Sequence, residues 1–285
     1  MIQLAGMPFQ QTNLWQSGSI ESHIVQAMME DRTMYAYPSM NVLSFEVELR
    51  KNIILSARAL NDSDAEFEIF ALTRANPQYW YVTNMGSIEL KAGTSPSVAI
   101  RDIFGNSSFY GFECATAMII IYYYAVMNVI GDHAFNRLFP NIQLYSWNFD
   151  PDLGLTTSYT NYFIPGDVVY FENPDYHPQM SQWRGENAVV LEDGRYFGYG
   201  IGITTESEMV QILNELRKAN ATQSAYLSNI VARPGFLHLA NVAMHRPEFI
   251  RQKLRYVIIQ HNEDSISLDR YIYYLNTIPS NPFSF

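Results

Sequence analysis

The longest apolar stretch of the chain runs from Ala115 to Ile130 and lies between Gly111 and Gly131. Apolar residues occupy every face of this stretch, which is typical of a helix that is buried on all sides. The stretch is too short to cross a bilayer. It therefore predicts a central helix in a folded core, and the only cysteine of the chain, Cys114, stands directly before it.

Weaker patterns predict the elements that surround this helix. Apolar spacing, a Ser-Pro start and a Thr-x-x-Glu capping box predict three further helices, which cover residues 40–60, 95–103 and 205–218. Segments rich in Val, Ile, Tyr and Phe, separated by Pro, Gly and Asp, predict strands, which cover residues 142–147, 167–172, 187–192 and 195–201. The order of elements indicates an α+β fold.

The dipeptide Asp193-Gly194 is a strong signal for a two-residue hairpin turn. With such a turn Ala188 would pair with Tyr199, and Glu186 and Tyr199 would share one face of the hairpin. A three-residue turn would place these two side chains on opposite faces. The expected proximity of Glu186 and Tyr199 therefore depends on the turn type.

Composition narrows the class of protein. The chain has 285 residues, of which 48% are hydrophobic and 16% charged, as in a globular protein with a large core. The breaker sequence Arg233-Pro234-Gly235 precedes a segment of different character. We therefore predict a single main domain over residues 1–234 and a C-terminal extension over residues 235–285 to which the sequence assigns no role.

Charge and motif content exclude several partners. The formal net charge of −10 and the lack of a basic stripe argue against nucleic-acid binding. Neither metal-ligand spacings nor a nucleotide-binding glycine loop is present, so we predict no metal and no cofactor. A single cysteine cannot form an intrachain disulfide, and no secretion signal or membrane span is recognisable. A cytoplasmic protein is expected.

The position of Cys114 suggests a nucleophile. The first turn of a helix carries the positive end of the helix dipole, which can lower the pKa of a thiol toward neutrality. The alternative is that Cys114 is inert, because free cysteine is often a small buried hydrophobic residue. Position alone does not decide between the two.

Four strings of residues identify a family. They resemble segments of the spore-coat transglutaminases of Bacillus-type bacteria and lie at residues 110–123, 166–174, 182–187 and 196–202. Shorter similarities extend the resemblance over most of residues 40–230. No family resemblance is found over residues 235–285.

The resemblance implies a papain-like, NlpC/P60-related α+β domain, in which a cysteine at a helix N-terminus faces a small antiparallel sheet. The implied activity is that of a protein-glutamine gamma-glutamyltransferase, which forms isopeptide bonds between glutamine and lysine side chains without calcium. The family nucleophile matches Cys114, its acidic partner matches Glu186, and the glutamate before the cysteine matches Glu113. The partners that the resemblance implies are proteins with exposed glutamine and lysine, such as spore-coat proteins, and the location that it implies is the mother-cell cytoplasm and then the coat surface.

One position departs from the family, which has a histidine where this chain has Tyr199. A phenol titrates near ~10 and cannot exchange protons with a thiol at neutral pH. We therefore expect Glu186 to act as base and then acid, with Glu113 as second choice and Tyr199 as an orienting hydrogen-bond donor. His177 is a further candidate to replace the missing imidazole. The purely structural alternatives are an ion pair between Glu186 and a nearby arginine, and a Tyr199 that only packs.

A transferase must protect its thioester from water, so we expect an aromatic passage built from Trp183, Tyr199 and Phe112. Two other functions remain open. A cysteine peptidase or amidase of the same superfamily would use Cys114 but pass the acyl group to water. A catalytically inactive coat protein would explain the loss of the histidine.

Overall fold

The computed structural model describes residues 1–10, 14–244, 259 and 261–277. In this part of the chain the α-helices are α1 Ile20–Glu30, α2 Met40–Asn61, α3 Pro96–Gly105, α4 Cys114–Ile130, α5 Asp132–Leu138, α6 Glu206–Glu215, α7 Phe236–Met244 and α8 Leu268–Thr277. The strands are β1 Ile2–Leu4, β2 Met7–Pro8, β3 Tyr35–Tyr37, β4 Glu66–Phe67, β5 Trp80–Val82, β6 Ile88–Leu90, β7 Gly111–Phe112, β8 Gln143–Leu144, β9 Thr156–Tyr159, β10 Val168–Glu172, β11 Gly185–Val190, β12 Tyr196–Gly198, β13 Gly202–Thr204 and β14 Tyr226–Arg233.

The main sheet has six strands in the order β13-β12-β11-β10-β14-β9, and all neighbours are antiparallel. Strand β11 lies inside this sheet and is buried along its whole length. One face of β11 packs toward α4 and α2, while the other face packs toward α6. The predicted α+β class with an antiparallel sheet is confirmed.

Helix α4 is the predicted central helix. Thirteen of its residues are buried, so apolar character on every face is matched by burial on every face. The Tyr122 hydroxyl donates to the Ala232 carbonyl at 3.1 Å and joins the helix to β14. The helix ends at Gly131, whose φ of 81° few other residues adopt without strain.

A buried ion cluster joins α2 to the sheet. Arg50 is fully buried, and its Nη1 and Nε atoms lie 2.8 Å from Asp167 and 2.9 Å from Glu46. Arg233 reaches the same Asp167 carboxylate at 2.6 Å. Burial alone would raise the pKa of Asp167, but the charges and hydrogen bonds of the two arginines lower it. The cluster therefore holds the sheet in a fixed position against the helices that carry the site.

The predicted helices match the structure, and the capping box of α6 is complete: the Thr205 N–H donates to Glu208 Oε2 at 2.8 Å, and the Glu208 N–H donates back to Thr205 Oγ1. Two strand predictions are too long. The segment 195–201 contains only β12, because the chain turns at Gly200, where φ is 106°, before β13 begins at Gly202. The segment 142–147 keeps only Gln143–Leu144 as strand, because the chain turns at Ser146, where φ is 48°.

The predicted two-residue hairpin turn is wrong. Ala188 pairs with Gly198 rather than with Tyr199, and the turn has three residues ending at Gly194 with φ of 77°. The Asp193 carboxylate accepts the Arg195 N–H at 3.1 Å and stabilises this longer turn. The register is shifted by one residue, so Glu186 and Tyr199 lie on opposite faces of the hairpin.

The described residues after residue 234 pack against the main domain. Leu239 and Ala240 of α7 are buried, and the Arg50 guanidinium lies 4.5 Å above the Phe236 ring. Leu268 and Tyr271 of α8 are also buried. The boundary between residues 234 and 235 stays a prediction. None of the helices described here is both long and apolar enough to cross a membrane.

Candidate active site

Cys114 is the first residue of α4 and is fully buried. The residue before it, Glu113, is the N-cap of the helix. Its carboxylate accepts the backbone N–H of Ala115 at 2.9 Å and both the N–H and the hydroxyl of Thr116, at 2.6 and 2.8 Å. The N–H of Ser265 also donates to it at 3.2 Å. Glu113 is therefore fully engaged as a helix cap, which makes it a poor proton carrier.

The predicted lowering of the thiol pKa is wrong for this conformation. Burial raises the pKa of the Cys114 thiol well above its usual value, and the charges of Glu186 and Glu113 raise it further. Hydrogen bonding by Ser265 and Asn187 opposes this effect but does not reverse it. At neutral pH the buried Cys114 is therefore a thiol, because the dipole of the helix does not compensate for the loss of water.

Glu186 lies in β11 and is completely buried. Neither carboxylate oxygen accepts a hydrogen bond of good geometry from the described residues. Burial raises the pKa of Glu186 well above its ordinary value, and the charge of Glu113 adds to this, whereas the backbone N–H of Tyr199 opposes it. A carboxyl group with a raised pKa and no counter-charge thus lies close enough to Cys114 for the two to influence each other's ionisation.

Gly198 makes room for this carboxyl group. A Cβ atom at that position would lie 2.8 Å from Glu186 Cγ and 2.9 Å from the Met209 methyl group, closer than real side chains approach. The expected ion-pair alternatives are not formed: Arg184 pairs with Glu263 and Arg195 pairs with Asp193.

Asn187 was not predicted from the sequence as a site residue. Its Nδ2 atom lies 3.3 Å from Cys114 Sγ and donates to the Ile266 carbonyl at 2.9 Å. Asn187 and Val189 alternate with Glu186 along β11, and Val189 packs into the core that contains α4. With the correct hairpin register, strand alternation would have pointed to Asn187, since it shares the helix-facing side of the strand.

Tyr199 does not direct its hydroxyl at the nucleophile. The hydroxyl donates to the Glu66 carbonyl at 2.9 Å, and the ring stacks on Phe112 with 4.9 Å between centroids. Phe67 bridges Tyr199 and Trp183, at centroid distances of 6.2 and 5.0 Å. The three aromatics expected in a passage are thus joined through Phe67 into one row, which we call the aromatic row: Phe112, Tyr199, Phe67 and Trp183. The row runs from fully buried rings to half-buried ones.

His177 caps a short 3₁₀ turn, where its Nδ1 accepts the Gln179 N–H at 3.2 Å. It has the role of a loop residue here. His261 lies in the C-terminal segment and packs among the rings of Phe70, Tyr145 and Tyr274. Within the described ranges no group of three or more metal-ligating side chains is assembled.

We expect Tyr199→Phe to change little. The substitution removes one hydrogen bond, to the Glu66 carbonyl, at a cost of about 0.5–1.5 kcal/mol in the free energy of unfolding. It keeps the ring stacked on Phe112. The rate of amine incorporation and its pH profile should both stay close to those of the unmodified protein. A collapse of the rate with an unchanged melting temperature would instead give the hydroxyl a direct chemical role.

Comparison with known proteins agrees with this arrangement. The family model described as protein-glutamine gamma-glutamyltransferase matches residues 1–243. A protein of that name from Halalkalibacterium halodurans is 44% identical over 275 residues, which cover 96% of this chain and 97% of the relative. A second relative, from Bacillus pumilus, is 42% identical over 241 residues, which cover 84% of this chain and 98% of the relative.

A solved structure shares the fold. The structure titled as a transglutaminase from Geobacillus stearothermophilus without its C-terminal extension superposes with a TM-score of 0.69 at 43% identity, over 72% of this chain and 98% of that one. The match over almost the whole length of each relative, together with a buried cysteine at a helix start beside a buried glutamate, leads to one conclusion. The chain belongs to the protein-glutamine gamma-glutamyltransferase family.

Proposed function

We propose that the chain cross-links proteins by joining glutamine to lysine side chains through a thioester on Cys114, with Glu186 as the proton carrier and without calcium. One observation carries this proposal: a thiol and a carboxyl group that influence each other's ionisation are both fully buried, and the carboxyl group has neither a cation nor a hydrogen-bond donor of good geometry to fix its charge. A carboxyl group with a raised pKa serves as both base and acid near neutral pH.

In the acylation step the Cys114 sulfur attacks the carboxamide carbon of a glutamine side chain. The thiol proton passes to Glu186 and from there to the departing amide nitrogen, so that ammonia leaves and a thioester remains. No hydrogen bond of good geometry holds the Glu186 carboxyl group in its present orientation. In the second step a lysine amine attacks the thioester, gives its proton to Glu186 and forms the isopeptide, while the thiol is regenerated.

The negative oxygen of each tetrahedral intermediate needs hydrogen-bond donors. The N–H groups of Ala115 and Thr116, at the helix start, already donate to Glu113. Asn187 Nδ2, 3.3 Å from the sulfur, and the Cys114 N–H are therefore the donors that we assign to this oxygen.

The aromatic row supports transfer over hydrolysis. Phe112 lies two residues before Cys114, and Tyr199 stacks on it; both are almost fully buried, while the half-buried Phe67 and Trp183 extend the row toward solvent. An apolar wall of this kind admits the methylene chain of a lysine and disfavours water. We assign Tyr199 to this wall, where a phenol serves as well as an imidazole.

The experiment is incorporation of a labelled primary amine into a glutamine-bearing protein, in the presence of a chelator, by the unmodified chain and by Cys114→Ala. We expect incorporation by the unmodified chain and a loss to background in the variant. Ammonia release without incorporation would identify an amidase. If neither amine incorporation nor ammonia release is seen at any glutamine-donor concentration, the alternative of a catalytically inactive coat protein is correct.

The resemblance also supports a biological setting, since relatives of this name occur in Bacillus species. We infer that the substrates are spore-coat proteins and that the chain acts from the mother-cell cytoplasm and then at the coat surface. Loss of isopeptide cross-links from coat extracts of a strain carrying Cys114→Ala would support this setting.

A further inference from the structure

The C-terminal segment lies across the nucleophile. We call residues 263–267, between Asn262 and α8, the strap. The Ser265 N–H donates to Glu113 Oε2 at 3.2 Å, and Asn187 Nδ2 lies between Cys114 Sγ and the Ile266 carbonyl, at 3.3 and 2.9 Å. Ser265, Ile266 and Cys114 are all fully buried. No substrate can reach the sulfur while the strap stays in this place.

The main domain holds the strap by its backbone. Tyr170 Oη donates to the Ser265 carbonyl at 3.0 Å, and Trp147 Nε1 donates to the Ile266 carbonyl at 2.8 Å, in addition to the Asn187 amide. These three donors bind backbone carbonyl groups of the strap, and these hydrogen bonds involve none of its side chains. Any extended polypeptide that entered the same place could use them.

The strap is also poorly satisfied where it covers the site. Ser265 has a φ of 57°, in the left-handed region that a serine rarely adopts. Its buried hydroxyl makes no hydrogen bond of good geometry in the described structure and interacts weakly with the Cys114 thiol, and the Glu186 carboxyl group makes no hydrogen bond of good geometry either. Strained backbone and poorly paired buried polar groups both disfavour the closed state, so a competing peptide can displace the strap.

A charged clamp holds the outer end of the strap. Glu263 accepts hydrogen bonds from Arg184 at 2.9 Å and from Arg270 at 2.8 Å, and also from the Tyr274 hydroxyl. Burial would raise the pKa of Glu263, but these three donors lower it to about 2. The clamp is thus charged at every physiological pH, and it lies on partly exposed side chains.

The strap lies outside the residues that the family model matches, which end at residue 243. The catalytic elements therefore belong to the region that the family model matches, whereas the strap lies in a C-terminal region that the Halalkalibacterium halodurans relative also spans. We propose that the strap is an intramolecular occupant of the acyl-donor site. A glutamine-bearing polypeptide replaces it, and Tyr170, Trp147 and Asn187 then bind the backbone of that polypeptide. This proposal rests on the proposed function of Cys114.

Two substitutions of the same residue test the proposal in the full chain. Ser265→Pro cannot adopt a φ of 57° and lacks the N–H that Glu113 accepts, so it displaces the strap. Ser265→Gly keeps both the N–H and the backbone conformation and is the matched control. The first measurement is the rate of alkylation of Cys114, the only cysteine, by iodoacetamide. We expect an increase of at least about tenfold for Ser265→Pro, and an unchanged or lower rate for Ser265→Gly.

Glu263→Arg provides a second, independent way to release the strap. It places a third positive charge beside Arg184 and Arg270, so the outer end of the strap is repelled rather than held. Its control is Glu263→Gln. Both release variants should also lower the KM for a glutamine-donor peptide, with little change in kcat. If Ser265→Pro and Glu263→Arg both fold and are both alkylated at the rate of the unmodified chain, the strap is not a removable cover and the proposal is wrong.

Tyr170→Phe tests whether the donors that hold the strap also bind the substrate backbone, or whether the strap only blocks access to Cys114. The substitution should favour an accessible site in the unmodified chain but weaken substrate binding in Ser265→Pro. In the unmodified chain, loss of the hydroxyl loosens the strap and speeds alkylation of Cys114. In Ser265→Pro, the same change removes a donor to the substrate backbone and raises the KM for the donor peptide about threefold to tenfold. An unchanged KM in that background would overturn the recognition part of the proposal.

The outcomes separate the proposal from the proposed function. Faster alkylation in the release variants, with no amine incorporation by any of them, would support the strap as a cover and refute the transferase. Amine incorporation by the unmodified chain, with alkylation and KM unchanged by either release, would support the transferase and refute the strap.

Discussion

Glu186→Gln should lower the rate of acylation of Cys114 by about 10²–10⁴-fold, the range for loss of a general acid-base group. The amide has nearly the same shape but cannot take the thiol proton or give one to the leaving ammonia. The measurement is a burst of ammonia release from a glutamine-donor peptide, which reports acylation separately from transfer. The fold should be retained, because Glu186 makes no hydrogen bond of good geometry that the substitution would break.

Two variants serve as controls for this prediction. Glu192→Gln lies in the same hairpin, where it pairs with Arg58 at 2.7 Å near the surface, and should leave the acylation rate unchanged. Glu113→Gln should cost stability through a weaker helix cap, with a smaller effect on rate. If Glu186→Gln kept most of its activity while Glu113→Gln lost it, Glu113 would be the proton carrier.

Glu186→Gln should also change how the stability of the fold depends on pH. The folded-state pKa of Glu186 is raised above its unfolded value, so folding favours the protonated form. Its contribution to stability is complete below the usual pKa of a carboxyl group and is lost as pH rises toward the folded value. Glutamine does not titrate. The melting temperature of Glu186→Gln, relative to that of the unmodified chain, should therefore increase from about pH 5 upward.

Asp167→Asn should lower the free energy of unfolding by about 3–5 kcal/mol, because it leaves buried guanidinium groups without their counter-charge. Asp167 is the shared partner of Arg50 and Arg233. Denaturation by urea at pH 7 measures the loss. Asp132→Asn breaks an exposed pair with Arg101 and should cost no more than about 1 kcal/mol. Equal effects of the two variants would contradict a structural role for the cluster.

The effect of pH on the stabilisation by Asp167 has the opposite sign to that for Glu186. The folded-state pKa of Asp167 is lowered, so its stabilisation is present above the usual pKa of a carboxyl group. It is lost as pH falls through the folded value. The difference in stability between the unmodified chain and Asp167→Asn should therefore narrow in acid.

The sequence sufficed for the elements whose signal is local. Apolar residues on all faces predicted α4, and the Thr205–Glu208 pair predicted the start of α6, since both features depend on residues close in the chain. The hairpin register could not be decided in this way, because Asp193-Gly194 is compatible with turns of two and three residues. That one-residue difference moved Tyr199 away from Glu186 and concealed Asn187.

The strap could not be predicted for a different reason. Its contacts with Glu113 and Asn187 join residues that are separated by 152 and 79 positions. Most of these contacts involve backbone atoms of the strap, which leave no trace in residue type. The raised pKa of the Cys114 thiol could not be predicted from the sequence either. The helix dipole is a local feature, whereas the burial of Cys114 depends on the whole fold.

The strap belongs to the same chain as the site that it covers, so it competes at a concentration that dilution does not change. For a tethered ligand this effective concentration is on the order of millimolar. A glutamine donor in dilute solution is therefore outcompeted by the strap. Donors packed densely on a particle or in an assembling layer reach a local concentration comparable with that of the strap and can displace it. An enzyme covered in this way would be active where its substrates are dense and nearly inactive toward the same proteins in free solution.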